Sequence, residues 1–173
     1  LPNFSLASLS FDGSDDYVEV KDAPSLEPTR FTISGWVRTS QVRAESLIHK
    51  LSTGGSFEGY ALVLNSSGPG SATEDGYLAL WVGDITNGWT NVSLGAGAIS
   101  NKQWHFVVGT YDGTNARIYF DGVLRVTATK TASIIANAIN FRVGIHPFNN
   151  TSLNGLIDED PINNRALYAP EGL

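Results

Sequence analysis

Apolar and polar positions alternate in short bursts along this chain, and no stretch holds a 3.6-residue period for long enough to make a helix. Runs of β-branched and aromatic residues recur instead at Tyr17–Lys21, Phe31–Thr39, Tyr60–Asn65, Tyr77–Gly83, Trp104–Asp112, Ala116–Asp121, Val123–Thr129 and Ile139–Ile145. Ser46–Leu51 and Trp89–Leu94 carry weaker versions of the same pattern. About ten to twelve strands at this spacing predict an all-β fold, a two-sheet antiparallel β-sandwich. Helix is expected at most as a turn near Arg165–Tyr168.

Asp-Gly pairs at Asp12-Gly13, Asp75-Gly76, Asp112-Gly113 and Asp121-Gly122 mark tight turns, glycine supplying the positive φ. Trp104–Asp112 and Ala116–Asp121 therefore read as a hairpin, with Val123–Thr129 folding back as a third strand. Asn65–Asp75 is the most loop-like stretch. Val18 and Val20 share one face and Glu19 and Lys21 the other, which predicts a half-exposed strand. Tyr60–Asn65 and Tyr77–Gly83 are apolar in both phases, as central strands are. Leu78, Leu80 and Val82 form one phase and read as core; Ala79 and Trp81 occupy the other. That aromatic-bearing second face is either covered by a further layer or open as a platform for a sugar ring.

Composition narrows the function classes. The chain has 173 residues, suited to one domain spanning residues 1–173, and at this size it needs no disulfide. Cysteine is absent, so a thiolate metal site is excluded. Methionine is absent too and the chain opens Leu1-Pro2-Asn3, so it is expected to be a piece of a longer protein. No apolar run approaches the roughly 18 residues of a membrane span. The net charge of −6, with 17 acids against 11 bases, argues against nucleic acid as a partner. Few charges and 18 glycines suit an exported domain of short strands and tight turns. Asn-x-Ser/Thr sequons stand at Asn3, Asn65, Asn91, Asn149 and Asn150, most of them expected by chance in so Asn-rich a chain.

Four segments, in this order, resemble laminin-G-like domains of the concanavalin A-like lectin/glucanase superfamily: Ser8–Val20 (SLSFDGSDDYVEV), Phe31–Thr39 (FTISGWVRT), Trp104–Leu124 (WHFVVGTYDGTNARIYFDGVL) and Leu153–Leu167 (LNGLIDEDPINNRAL). The resemblance implies a jelly roll whose first and last strands lie side by side. It departs at Asp160-Pro161, where similar domains continue the last strand and proline removes a ladder N–H.

Candidate chemistry is sparse. Asp12, Asp15 and Asp16 cluster near one end of the chain, and Asp158, Glu159 and Asp160 near the other. If the terminal strands are neighbours these carboxylates converge, and calcium wants six to eight oxygens from carboxylates and turn carbonyls. The Asp12-Gly13 turn offers both kinds of oxygen, and the resemblance implies a structural Ca2+ held by Asp158; the alternative is that Asp12 merely caps the turn and the other carboxylates are solvated. Catalysis has little support, because Ile157–Pro161, the nearest match to the E-x-D-x-E strand of the superfamily's glucanases, lacks that spacing and runs into proline. His49, His105 and His146 form no metal motif, and no GxSxG elbow occurs. Trp36 and Trp104 read as packed. Trp89, in polar company, is the expected ligand contact, with Trp81 as a second stacking surface and Asn87, Asn91 and Asp84 as hydrogen-bonding neighbours. The sequence thus points to a non-catalytic carbohydrate-binding module of a secreted or cell-surface protein. A protein-binding adhesin domain with a cell-surface or matrix partner comes next, and a glycoside hydrolase or lyase last.

Overall fold

The computed structural model describes residues 8–40, 45–52, 58–64, 78–84, 88–94, 99, 102–129, 134, 136–148, 150–158 and 162–167. All pairings between its strands are antiparallel. One sheet has the order β1 (Leu9–Asp12), β12 (Asn154–Asp158), β3 (Phe31–Thr39), β8 (His105–Tyr111), β9 (Asn115–Phe120), β10 (Val123–Thr129), with β13 (Ile162–Asn163) also on β3. The other has the order β2 (Val18–Val20), β11 (Phe141–Val143), β4 (Glu45–Leu51), β5 (Gly59–Leu64), β6 (Leu78–Asp84), β7 (Gly88–Leu94). The first and last long strands do lie side by side, β1 on β12.

Strand periodicity decides what is inside. Phe31, Ile33 and Val37 of β3 meet Leu62 and Leu64 of β5 and Leu78, Leu80 and Val82 of β6 in the core between the sheets. Every residue of β5 is buried, as its two-phase apolar pattern predicts. The Asp121-Gly122 turn has φ of 51° and 76°, the paired positive values of a hairpin turn matched to strand twist. Lys50 is buried and points into this interior. Its Nζ donates to the Asn137 carbonyl at 2.6 Å and lies 2.8 Å from an Asp22 carboxylate oxygen.

Three expectations change. Val18 and Val20 are both exposed, at 36% and 46%, because β2 is the sheet's outermost strand. No helical turn forms among the described residues near Arg165. The Thr32 hydroxyl donates to the Arg165 carbonyl and accepts from Leu167 N–H, tying this segment to β3. A 3-10 turn appears instead at Pro24–Leu26, where proline at its first position sets φ. Trp104 is 38% exposed rather than packed, whereas Trp36 lies 5.3 Å from the Phe106 ring. The Asn65–Asp75 loop, Tyr168 and the Asp160-Pro161 step lie outside the described residues.

Candidate functional site on the six-stranded sheet

The strand register lines up one row of side chains across the outer face of the six-stranded sheet. Glu19 faces Arg142, Arg142 faces His49, His49 faces Ala61, Ala61 faces Trp81, and Trp81 faces Asn91. Directly opposed residues share a face, so polar, cationic and aromatic groups run in a line from β2 to β7. A solvated sheet face needs no tryptophan and no histidine in such a row.

Trp81 anchors a second apolar cluster with Leu51, Ala61, Val63 and Ala79, and Phe148 packs against it. The rings of His146 and Phe148 meet the indole edge-on at 5.8 and 6.0 Å. Trp81 is therefore fully buried under the segment that follows β11 and offers no open stacking surface, correcting that expectation. The covered-face alternative is the one that holds at Trp81. Asn91 is half-buried at the end of the row. Trp89 pairs with Gly83 and Asp84 with Gly88, but their side chains, and Asn87 altogether, lie outside the described residues.

At the other end of the row a cavity of about 280 Å³ opens between His49, Leu51, Arg142, Pro147 and the 138–140 segment. Arg142 donates from Nε to Glu19 at 2.6 Å and lies over the Tyr17 ring, 5.6 Å from its centre. His49 is 2% exposed, and neither ring nitrogen has a hydrogen-bond partner among the described residues. Burial, then the positive field of Arg142 and of His146, drives its imidazole down to about 3, so it is neutral at physiological pH. An unmet buried polar group costs about 1–3 kcal/mol. Sequence reading passed over His49 and Arg142, which stand in a weak strand and a short one. The usable signal was phase, since His49 alternates with Lys50 and shares its face with Leu51.

A second groove of about 270 Å³ lies on the opposite sheet, beside Ser10, Arg38, Lys102 and Asn154. There Arg38 Nε donates to the Lys102 carbonyl at 3.0 Å.

The carboxylates do not gather as expected. Asp12 pairs with Asn154 across β1 and β12, so Asp158 sits four residues further along, about 13 Å away at the strand rise. Asp158 pairs with Trp36 instead, and the set Asp12, Gly13 and Asp158 cannot hold one ion. Asp12, Asp15 and Asp16 do converge, offering carboxylate oxygens within 4.8 Å of one another. Asp12 also caps its turn, accepting Ser14 N–H at 2.8 Å, while Asp16 accepts Asp12 N–H at 3.0 Å. Gly13 holds φ +83°, and an added Cβ would lie 2.9 Å from Asn154 Cβ. Three clustered carboxylates open to water fit a hard cation such as calcium.

A laminin G family model, described as the concanavalin A-like lectin/glucanases superfamily, matches residues 12–171. The chain belongs to this superfamily. No curated protein sequence matches it. Among solved structures, the Ruminococcus gnavus IT-sialidase CBM40 bound to α2,3-sialyllactose is similar with a TM-score of 0.69 and 13% identity, covering 96% of each chain. The binding domain of botulinum neurotoxin DC in complex with rat synaptotagmin II is similar with a TM-score of 0.67 and 18% identity. That of serotype G has a TM-score of 0.68 and 16% identity. This superfamily member spans 40% of the length of either toxin domain, which cover 93% and 95% of it. Identities this low establish a shared jelly roll and no more. No described helix is long and apolar enough to cross a membrane.

Proposed function

We propose that the protein is a non-catalytic carbohydrate-binding module of a secreted or cell-surface protein, and that the outer face of its six-stranded sheet receives the sugar. The observation carrying this reading is the cavity at the Arg142–His49 end of the row, the end that the segment covering Trp81 leaves open. Sugars need apolar contact and directional hydrogen bonds together. The sialyllactose-bound CBM40, which matches along nearly its whole length, supports a glycan as the ligand class. The non-catalytic part rests on the Ile157–Pro161 string, which lacks a glucanase's E-x-D-x-E spacing and runs into proline. A glycan array should show saturable binding to at least one sugar class. An array blank for every sugar, with folded protein, contradicts the reading.

A protein partner is the second reading. Val123 and Leu124 on the edge strand β10 are 53% and 48% exposed, and apolar edges invite pairing. The synaptotagmin-bound toxin domain is a fold relative that binds protein.

A structural calcium ion on Asp12, Asp15 and Asp16 is part of the proposal. Calcium at a hundredfold excess over its Kd stabilises by about 2.7 kcal/mol, read as a higher Tm than in EDTA. Asp15→Asn with Asp16→Asn should remove that difference and Asp158→Asn should keep it. Equal melting curves, with no calcium found by elemental analysis, contradict the site.

A further inference from the structure

We propose that the cavity between His49 and Arg142 is a subsite for a single neutral pyranose ring, with His49 bonding one ring hydroxyl and Arg142 donating to its neighbour. The inference rests on the glycan-binding reading and goes beyond it to the ligand's charge and the groups that hold it.

The strongest mark of a ligand here is His49 itself. It is 98% buried by its 2% exposure, lines the cavity, and leaves Nδ1 and Nε2 without a partner among the described residues. Native interiors rarely leave such groups unmet without a functional reason. A neutral imidazole carries one donor and one acceptor, and a hydroxyl is the group that can answer either. The cavity's size, about 280 Å³, is near the lower end of small-molecule sites, which suits one ring rather than an extended chain.

Charge selects against an acidic sugar. Arg142 already donates Nε to Glu19 at 2.6 Å, so the local charge is balanced before any ligand arrives. A carboxylate entering beside Glu19 would add an uncompensated negative charge in a half-enclosed place. Neutral hydroxyls meet no such penalty, and the terminal guanidinium nitrogens remain as donors. Both His49 nitrogens are closed to solvent. The ring must therefore turn, or the groups around it must shift, before a sugar oxygen reaches it. Binding is thus coupled to a change at the imidazole.

The test is a titration of protein carrying labelled histidine rings with methyl α-glucopyranoside, methyl α-galactopyranoside, methyl α-mannopyranoside and N-acetylneuraminic acid. At least one neutral pyranoside should shift the His49 ring resonance saturably. His49→Phe, and separately Ile139→Trp at the exposed rim, should each weaken that sugar by about tenfold or more. The rim variant leaves the core alone, so it decides the matter if the histidine variant misfolds. A His49 response to N-acetylneuraminic acid alone overturns the neutral-sugar assignment. Pyranoside or array-glycan binding kept within about twofold in both variants overturns the subsite and leaves the glycan reading standing. No response to any of the four sugars, with a blank array, overturns both.

Discussion

Trp81→Ala lowers the stability of this protein by about 3–5 kcal/mol, measured as the shift of the urea midpoint at unchanged slope. The indole is fully buried, with Ala61, Val63 and Ala79 as its neighbours and the His146 and Phe148 rings at its edge. Removing it leaves a cavity that central strands cannot close, because both their phases are packed. It also frees Phe148, so the segment after β11 loses its seat against the sheet. Trp81→Phe, which keeps part of the ring, should cost distinctly less. A Trp81→Ala protein as stable as the parent would mean that the second apolar cluster contributes nothing.

The second large effect is on pH dependence. The His49 imidazole is held at about 3 in the folded protein, chiefly by burial and then by Arg142 and His146, against 6.5 for the ordinary group. The unfolded chain therefore binds a proton near pH 6.5 that the folded chain refuses. Stability from this source is complete above that pH and drains away as the pH falls towards 3. Across the whole window the loss is about 4–5 kcal/mol. Glu19, held low by its hydrogen bond to Arg142, loses its contribution only below its ordinary 4.5. The slope between about pH 6.5 and 5 is thus the place to look for the histidine. His49→Phe should flatten it in urea titrations run at a series of pH values. An unchanged slope in that variant would contradict the account of His49 as a buried neutral base.

Much of the sandwich is written locally in the chain. β8, β9 and β10 each carry strand patterns, and the Asp112-Gly113 and Asp121-Gly122 turns that join them need only neighbouring residues to be recognised. The two-phase apolar pattern of β5 and β6 marked a second apolar face but left open whether it is covered, because Phe148 and His146, which cover it, come from over sixty residues away in sequence. Register is a different matter. The resemblance brought β1 beside β12, but only the pairing of Asp12 with Asn154 shows that Asp158 lies at the far end of the strand. One residue of slip inverts a strand's faces, and four residues separate two carboxylates completely. The row through Arg142, His49 and Trp81 is equally invisible in sequence, since β11, β4 and β6 are joined by register and not by spacing. Lys50 reads as a surface lysine until Asp22 and Asn137 are folded against it.

On the proposed reading, a glycan lands on the outer face of the six-stranded sheet. Backbone amide shifts recorded while titrating the best array ligand test it most directly. The shifts should concentrate at His49, Leu51, Asn140 and Arg142, which line the cavity. Shifts confined to the groove beside Arg38 and Lys102, or to the edge strand Val123–Thr129, would contradict it.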